Sequence, residues 1–223
     1  MSSFISSSTK TSEAAKSKLA ELGLSREILE RAIQEGLFQF KKVTKLHPVT
    51  AGGSRAWEEV NASLREQLLQ TQAGWNMSHE KGLTLTFNKS LGVNIVVTSG
   101  DRHTGIKEGF PKTKNTKGAS TQNYVGVNYS LFGDDEDVVS IFQEKIDKTE
   151  TWVLLYHIDT ALKQVRFELS LPSGMSGSNG KIRIDSWEQR IIFNPVPFNS
   201  DVTPTDKPEF NEDISFDVTK KVE

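Results

Sequence analysis

The chain has 223 residues, no cysteine, and 27 Lys and Arg against 29 Asp and Glu, a formal charge of −2. That excludes disulfides, zinc–thiolate and iron–sulfur sites and a cysteine nucleophile. It also predicts no global attraction to nucleic acid or to a membrane surface, so any anion site must be local.

Residues 1–11, rich in Ser and Thr, read as a flexible tail without the apolar core of a signal peptide. No apolar run is long enough to span a bilayer, and the compartment expected by default is the cytoplasm. Ser12 can cap a first helix with Glu13 in its first turn, running to about Leu22 and stopping at Gly23. Ser25 caps a second helix, with Ile28, Leu29, Ala32, Ile33 and Leu37 on one face. Gly36 weakens its end, and His47-Pro48 closes the segment. Ala51-Gly52-Gly53 reads as a flexible link. Ser54 then caps a third helix, with Trp57, Val60, Leu64 and Leu68 on one stripe. Neither helix is stable alone, and the two can pack as an antiparallel pair.

After Trp75 the period changes. Leu83, Leu85 and Phe87 alternate with Thr84 and Thr86, and Val93 to Thr98 is rich in β-branched residues. With a turn from Asn88 to Gly92, the two segments form a hairpin. Thr98 to Ser120 follows as an exposed, turn-rich loop. Residues 123–132 fit a strand or a helix; the Ser120-Thr121 pair favours the helix. Asp134 to Lys148 is a helix with acidic residues at its start. Trp152 to Ile158 and Gln164 to Leu171 are strands about a turn at Asp159 to Lys163. Lys181 to Phe193 makes a third antiparallel strand, broken near Asp185-Ser186. Pro195, Pro197, Pro204 and Pro208 then prevent regular pairing. The tail over 199–223 is acidic and largely irregular, with one short edge strand at Ile214, Phe216 and Val218. The order predicts a single α+β domain over 12–198, helical to about residue 75 and mostly strands after, with an N-terminal helical pair packed on an antiparallel sheet.

The functional signal lies in the loop. Arg102, Lys107, Lys112, Lys114 and Lys117 stand there against Asp101 and Glu108, with Thr, Asn and Gly interleaved. Ammonium groups, hydroxyls and backbone N–H groups in that mixture suit phosphate oxygens. A helix starting near Ser120 adds its N-terminus. Phe110 is the aromatic that can stack on a base. The spacing is not that of a P-loop, and a solvated loop that only confers solubility is the plainer alternative. The leading expectation is a non-catalytic protein that binds nucleic acid or another phosphate-bearing ligand. Its contacts are Arg102, Lys107, Phe110, Lys112, Lys114 and Lys117, and no cofactor is implied.

Two further readings compete. Ser99-Gly100-Asp101-Arg102-His103 resembles the first metal motif of the calcineurin-like phosphoesterases. The resemblance implies a metal-dependent phosphoesterase or nuclease with Asp101 and His103 as ligands. That family's later Gly-Asp-x-x-Asp, Asn-His-Glu and Gly-His elements are missing, and a dimetal site would have only four histidines to draw on. A nuclease of the Asp…Glu-x-Lys type would pair Asp101 with Glu168, but Ser170 stands where that motif needs lysine. A cross-strand ion pair of Glu168 with Arg183 or Arg190 is the plainer account. His157 and His47 read as structural, and Trp57, Trp75, Trp152 and Trp187 as core anchors. The other reading is a protein–protein adaptor, a subunit of a larger complex, using the paired helices or the acidic tail. That tail could also compete for the basic loop within the molecule.

Overall fold

The computed structural model describes residues 13–79, 83–132, 149–178 and 181–199. Helix α1 (13–21) ends before Gly23, which takes a φ of +67°. The Ser25 Oγ accepts from the Ile28 N–H at 3.3 Å and caps α2 (Arg26–Lys41) as expected. Helix α3 (Ala51–Gln70) runs back along α2. Gln67 near its end donates to the Ile28 carbonyl, while Gly52 at its start lies on Phe40. Gly36 is therefore not a fraying end. A Cβ there would lie 2.4 Å from Val60 Cγ2 and 2.9 Å from the Ala56 carbonyl oxygen, so the missing side chain is what lets the helices close.

The start of α3 differs from the sequence reading. The N-cap is Thr50, whose side chain makes no capping bond, and Ala51-Gly52-Gly53 is the first helical turn rather than a flexible link. Glycine costs roughly 1 kcal/mol per helical position; Gly52 packs closely on Phe40 of α2, while Gly53 has open space where a side chain would stand.

The strands are β1 (Trp75–Ser78), β2 (Leu85–Asn88), β3 (Val93–Ser99), β4 (Glu150–Asp159), β5 (Gln164–Ser176), β6 (Arg183–Ile192) and β7 (Val196–Pro197). They form one sheet in the order β1-β2-β3-β4-β5-β6, with β7 on β5. The architecture is the α+β one the sequence implied, with β2–β3 as the hairpin. Strand β1 is an addition to that reading. Every pair is antiparallel except β3 with β4, where Val93 faces Glu150 and Ser99 faces Tyr156. A parallel pair needs a long crossover. The basic loop and α4 (Ala119–Phe132) lie within it, so the segment that fitted strand or helix is helix. Between β5 and β6 the register slips at Pro172 and Gly174, opposite Trp187 and Ser186, where a break was expected. Ser12, the helix at Asp134–Lys148 and the edge strand at Ile214–Val218 fall outside the described residues.

Each face of the sheet is covered. On one, Leu29, Ile33, Leu64 and Leu68 join Ile95, Trp152, Leu154, Phe167 and Leu169 in the main apolar cluster, with Trp75 also buried. On the other, Val125 of α4 packs with Val153, Leu155 and Ile184. Among the described residues no helix is long and apolar enough to cross a membrane.

Candidate functional site

The basic loop is an excursion closed at its base. Gly100 pairs with Thr113, the Asp101 N–H reaches the Lys112 carbonyl, and the Lys114 N–H reaches the Ser99 carbonyl. Two arginines on the strands below collect its inward carbonyls. Arg166 donates to Thr104 at 3.0 Å and Arg102 at 2.8 Å, and pairs with Asp159. Arg190 donates to Gly109 at 2.7 Å and Ile106 at 3.1 Å. Glu168, wholly buried, holds Arg190 at 2.6 Å and accepts from the Gly105 N–H at 3.0 Å and the Ser170 hydroxyl at 3.1 Å. Gly105 has a φ of +70°, and a Cβ there would lie 2.8 Å from Arg166 Cβ. Thr104 and Thr113 are fully buried. The loop is thus anchored to the sheet and is not the freely exposed segment its composition suggested. Turn residues signal a loop but carry no record of what its carbonyls will meet. The expected cross-strand partner of Glu168 is Arg190.

This anchoring divides the candidate residues. Arg102, Lys107, Phe110 and Lys112 lie on the outer side, all exposed. Lys112 forms an ion pair with Asp185 at 3.2 Å, and Asp185 also accepts from the Ser176 hydroxyl. Asp101 Oδ1 accepts from the His103 N–H at 3.0 Å, which closes a local turn, and the His103 ring lies beside Arg102. Among the described residues no group of three or more His, Asp or Glu could hold a metal ion.

Lys114 and Lys117 instead line a cleft of about 920 Å³. Its floor is the carboxyl ends of the parallel strands, Val96 to Ser99 on β3 with Gly100 after it, and Tyr156 to Ile158 on β4. Open sheets commonly take ligands at such ends. One wall is Phe40, Val49, the first turn of α3 and Trp57; the other is Lys114 to Gly118 with Thr121 of α4. Ala51 and Ser54 give their N–H groups to the Pro48 and Thr50 carbonyls. The N–H groups of Gly52 and Gly53, between them, have no backbone acceptor among the described residues, as is usual in a first helical turn.

The charge of the cleft is one-sided. Lys114 and Lys117 line it, and no carboxylate does among the described residues. His157, half-buried, also lines it, its Nδ1 lying 3.3 Å from the Gly100 carbonyl. Lys117 is partly buried, and its Nζ donates to Thr98 Oγ1 at 2.6 Å. Burial brings its pKa down to about 8. Burial also raises the Tyr156 phenol above its ordinary value. Behind Lys117 lies a recess of about 30 Å³, walled by Leu83, Val96, Val125, Val153 and Ile184.

Trp57 corrects the sequence reading. It is 38% exposed and lines the cleft, with its Nε1 bonded to the Val97 carbonyl at 3.0 Å, instead of anchoring the core. Sequence reasoning also missed Gly52 and Gly53. Read from the sequence as a linker, they lie in the first turn of α3 and line the cleft. Fold and site together define an α+β protein with a basic cleft at the end of a parallel strand pair. Compared with known proteins, the chain matches no family model, no curated protein and no solved structure.

Proposed function

We propose that the protein binds a phosphate-bearing ligand, a nucleotide or a nucleic-acid strand, in the cleft beside Lys117. The observation that carries this reading is a partly buried ammonium whose described partner is a hydroxyl and not a carboxylate. A cation drawn out of water without a counter-charge is costly, and a phosphate bound in the same cleft, on Lys114 and the first turn of α3, offsets part of that cost. Lys114, Gly52 and Gly53 line the same cleft, and the free N–H groups of a first helical turn suit the same oxygens. Trp57 offers a surface for a base. Arg102, Lys107, Phe110 and Lys112 would extend the contact only for a longer strand, with Lys112 already committed to Asp185.

Fluorescence anisotropy with labelled DNA, RNA and nucleotides, at low and near-physiological salt, tests the reading. Binding should weaken with salt. Lys114→Ala with Lys117→Met should reduce affinity by about tenfold or more, one to two phosphate contacts being lost. Lys107→Ala with Lys112→Ala should change it far less. No binding even at low salt would defeat the proposal, and a stable protein partner in a pull-down would then favour the adaptor role.

A further inference from the structure

Lys117 stands between two cavities. It lines both the large cleft and the small recess, and Thr98, its hydrogen-bond partner, also lines both. The recess side is apolar, with Leu83, Val96, Val125 and Val153 in its wall. The cleft side has no carboxylate among the described residues. Such surroundings withdraw support from the charged form of an amine, and with a pKa near 8 about half of the Lys117 side chain is neutral at that pH. A neutral primary amine is a nucleophile toward carbonyl carbon, and lysines in apolar pockets act as Schiff-base formers for this reason.

Resting on the phosphate reading, we propose that Lys117 is an amine nucleophile that forms an imine with a phosphorylated aldehyde or ketone. The phosphate end takes Lys114 and the first turn of α3, and the carbonyl end takes Lys117. The smaller substituent on the carbonyl carbon faces the apolar recess. In the reaction the Nζ lone pair bonds to the carbonyl carbon and the C=O π pair moves to oxygen. A proton passes from nitrogen to that oxygen, with the Thr98 hydroxyl as relay, and gives a carbinolamine. The nitrogen lone pair then closes the C=N bond as the C–O bond breaks, and the hydroxyl takes the remaining N–H proton, relayed by Thr98, and leaves as water. No oxidant or reductant takes part.

The test uses the full chain, pyridoxal 5′-phosphate as the phosphorylated aldehyde, and pyridoxal as the same aldehyde without phosphate. Borohydride reduction after incubation near pH 8 fixes any imine, and peptide mass spectrometry locates it. The adduct should concentrate on Lys117 by about tenfold over exposed Lys107, form about tenfold less with pyridoxal, and be suppressed by inorganic phosphate. Its rate should rise as pH passes through about 8. Lys117→Arg should lose the adduct, and the unsubstituted protein should bind the phosphorylated probe reversibly before reduction. Labelling of Lys117 no greater than that of Lys107, or equal with both aldehydes, overturns the proposal. Reversible binding of the phosphorylated probe without an adduct overturns the imine and leaves the phosphate reading standing; neither binding nor adduct removes both.

Discussion

On one face of the sheet, Trp152, Leu154, Phe167 and Leu169 share an apolar cluster with Leu29, Ile33, Leu64 and Leu68 of the helices. On the other, β5 turns Arg166, Glu168 and Ser170 toward a loop and holds it by carbonyl oxygens and an N–H. Both faces are buried, but they respond differently to damage. An apolar cluster loses contacts roughly in proportion to what is removed. A buried polar network loses more, because each group removed leaves its partners charged and unpaired.

The largest effect should follow Glu168→Ala. It leaves Arg190 without its buried partner and frees the Gly105 N–H, at a cost of about 3–5 kcal/mol. Urea unfolding would measure the loss. Trypsin should also cut at Arg102 or Lys107 in the still-folded protein, since the loop is released before the sheet. A loop that stays resistant would mean that Glu168 does not hold it.

Leu154→Ala is the matched change on the opposite face. It should cost about 2–5 kcal/mol through lost transfer energy and a cavity. Here cleavage of the loop should follow global unfolding only. Selective cleavage in this variant would blur the distinction between the faces.

A smaller effect, of opposite sign, is expected at Lys117. Its folded pKa is about 8, below the value of about 10.4 for an unfolded lysine. Between those values the unfolded chain binds the extra proton, so stability rises with pH from about 8 toward about 10.4. Below about 8 the penalty is present in full. Lys117→Met should therefore stabilise the protein near neutral pH and flatten that rise, read from urea midpoints at about pH 7 and about pH 9.5. An unchanged slope would show that Lys117 is not the group responsible.

The apolar face was the legible one. Leu29, Ala32, Ile33 and Leu37 recur at helical spacing, and Val165, Phe167, Leu169 and Leu171 at strand spacing; both periods follow from backbone geometry alone. The pairing of Glu168 with an arginine was readable too, since same-face residues on adjacent strands have few partners to choose from. The inward side of the loop was not. Arg166 and Arg190 bind main-chain carbonyls, and every residue carries a carbonyl, so no residue type marks the contact. The site was half legible: Lys114 and Lys117 were among its residues, but nothing separated them from Lys107 and Lys112.

The amino-acid sequence by itself determined α1, α2, the body of α3, the β2–β3 and β4–β5 hairpins and the basic character of the loop, because period, turn chemistry and local charge act over a few residues. Tertiary structure alone decided that β3 and β4 run parallel, that Gly36 is a point of helix contact, and that Trp57 faces a cleft instead of the core. It also decided which lysines lose water. Burial is set by what distant segments bring alongside, so Lys117 acquires its lowered pKa only where the loop, β3 and α4 come together.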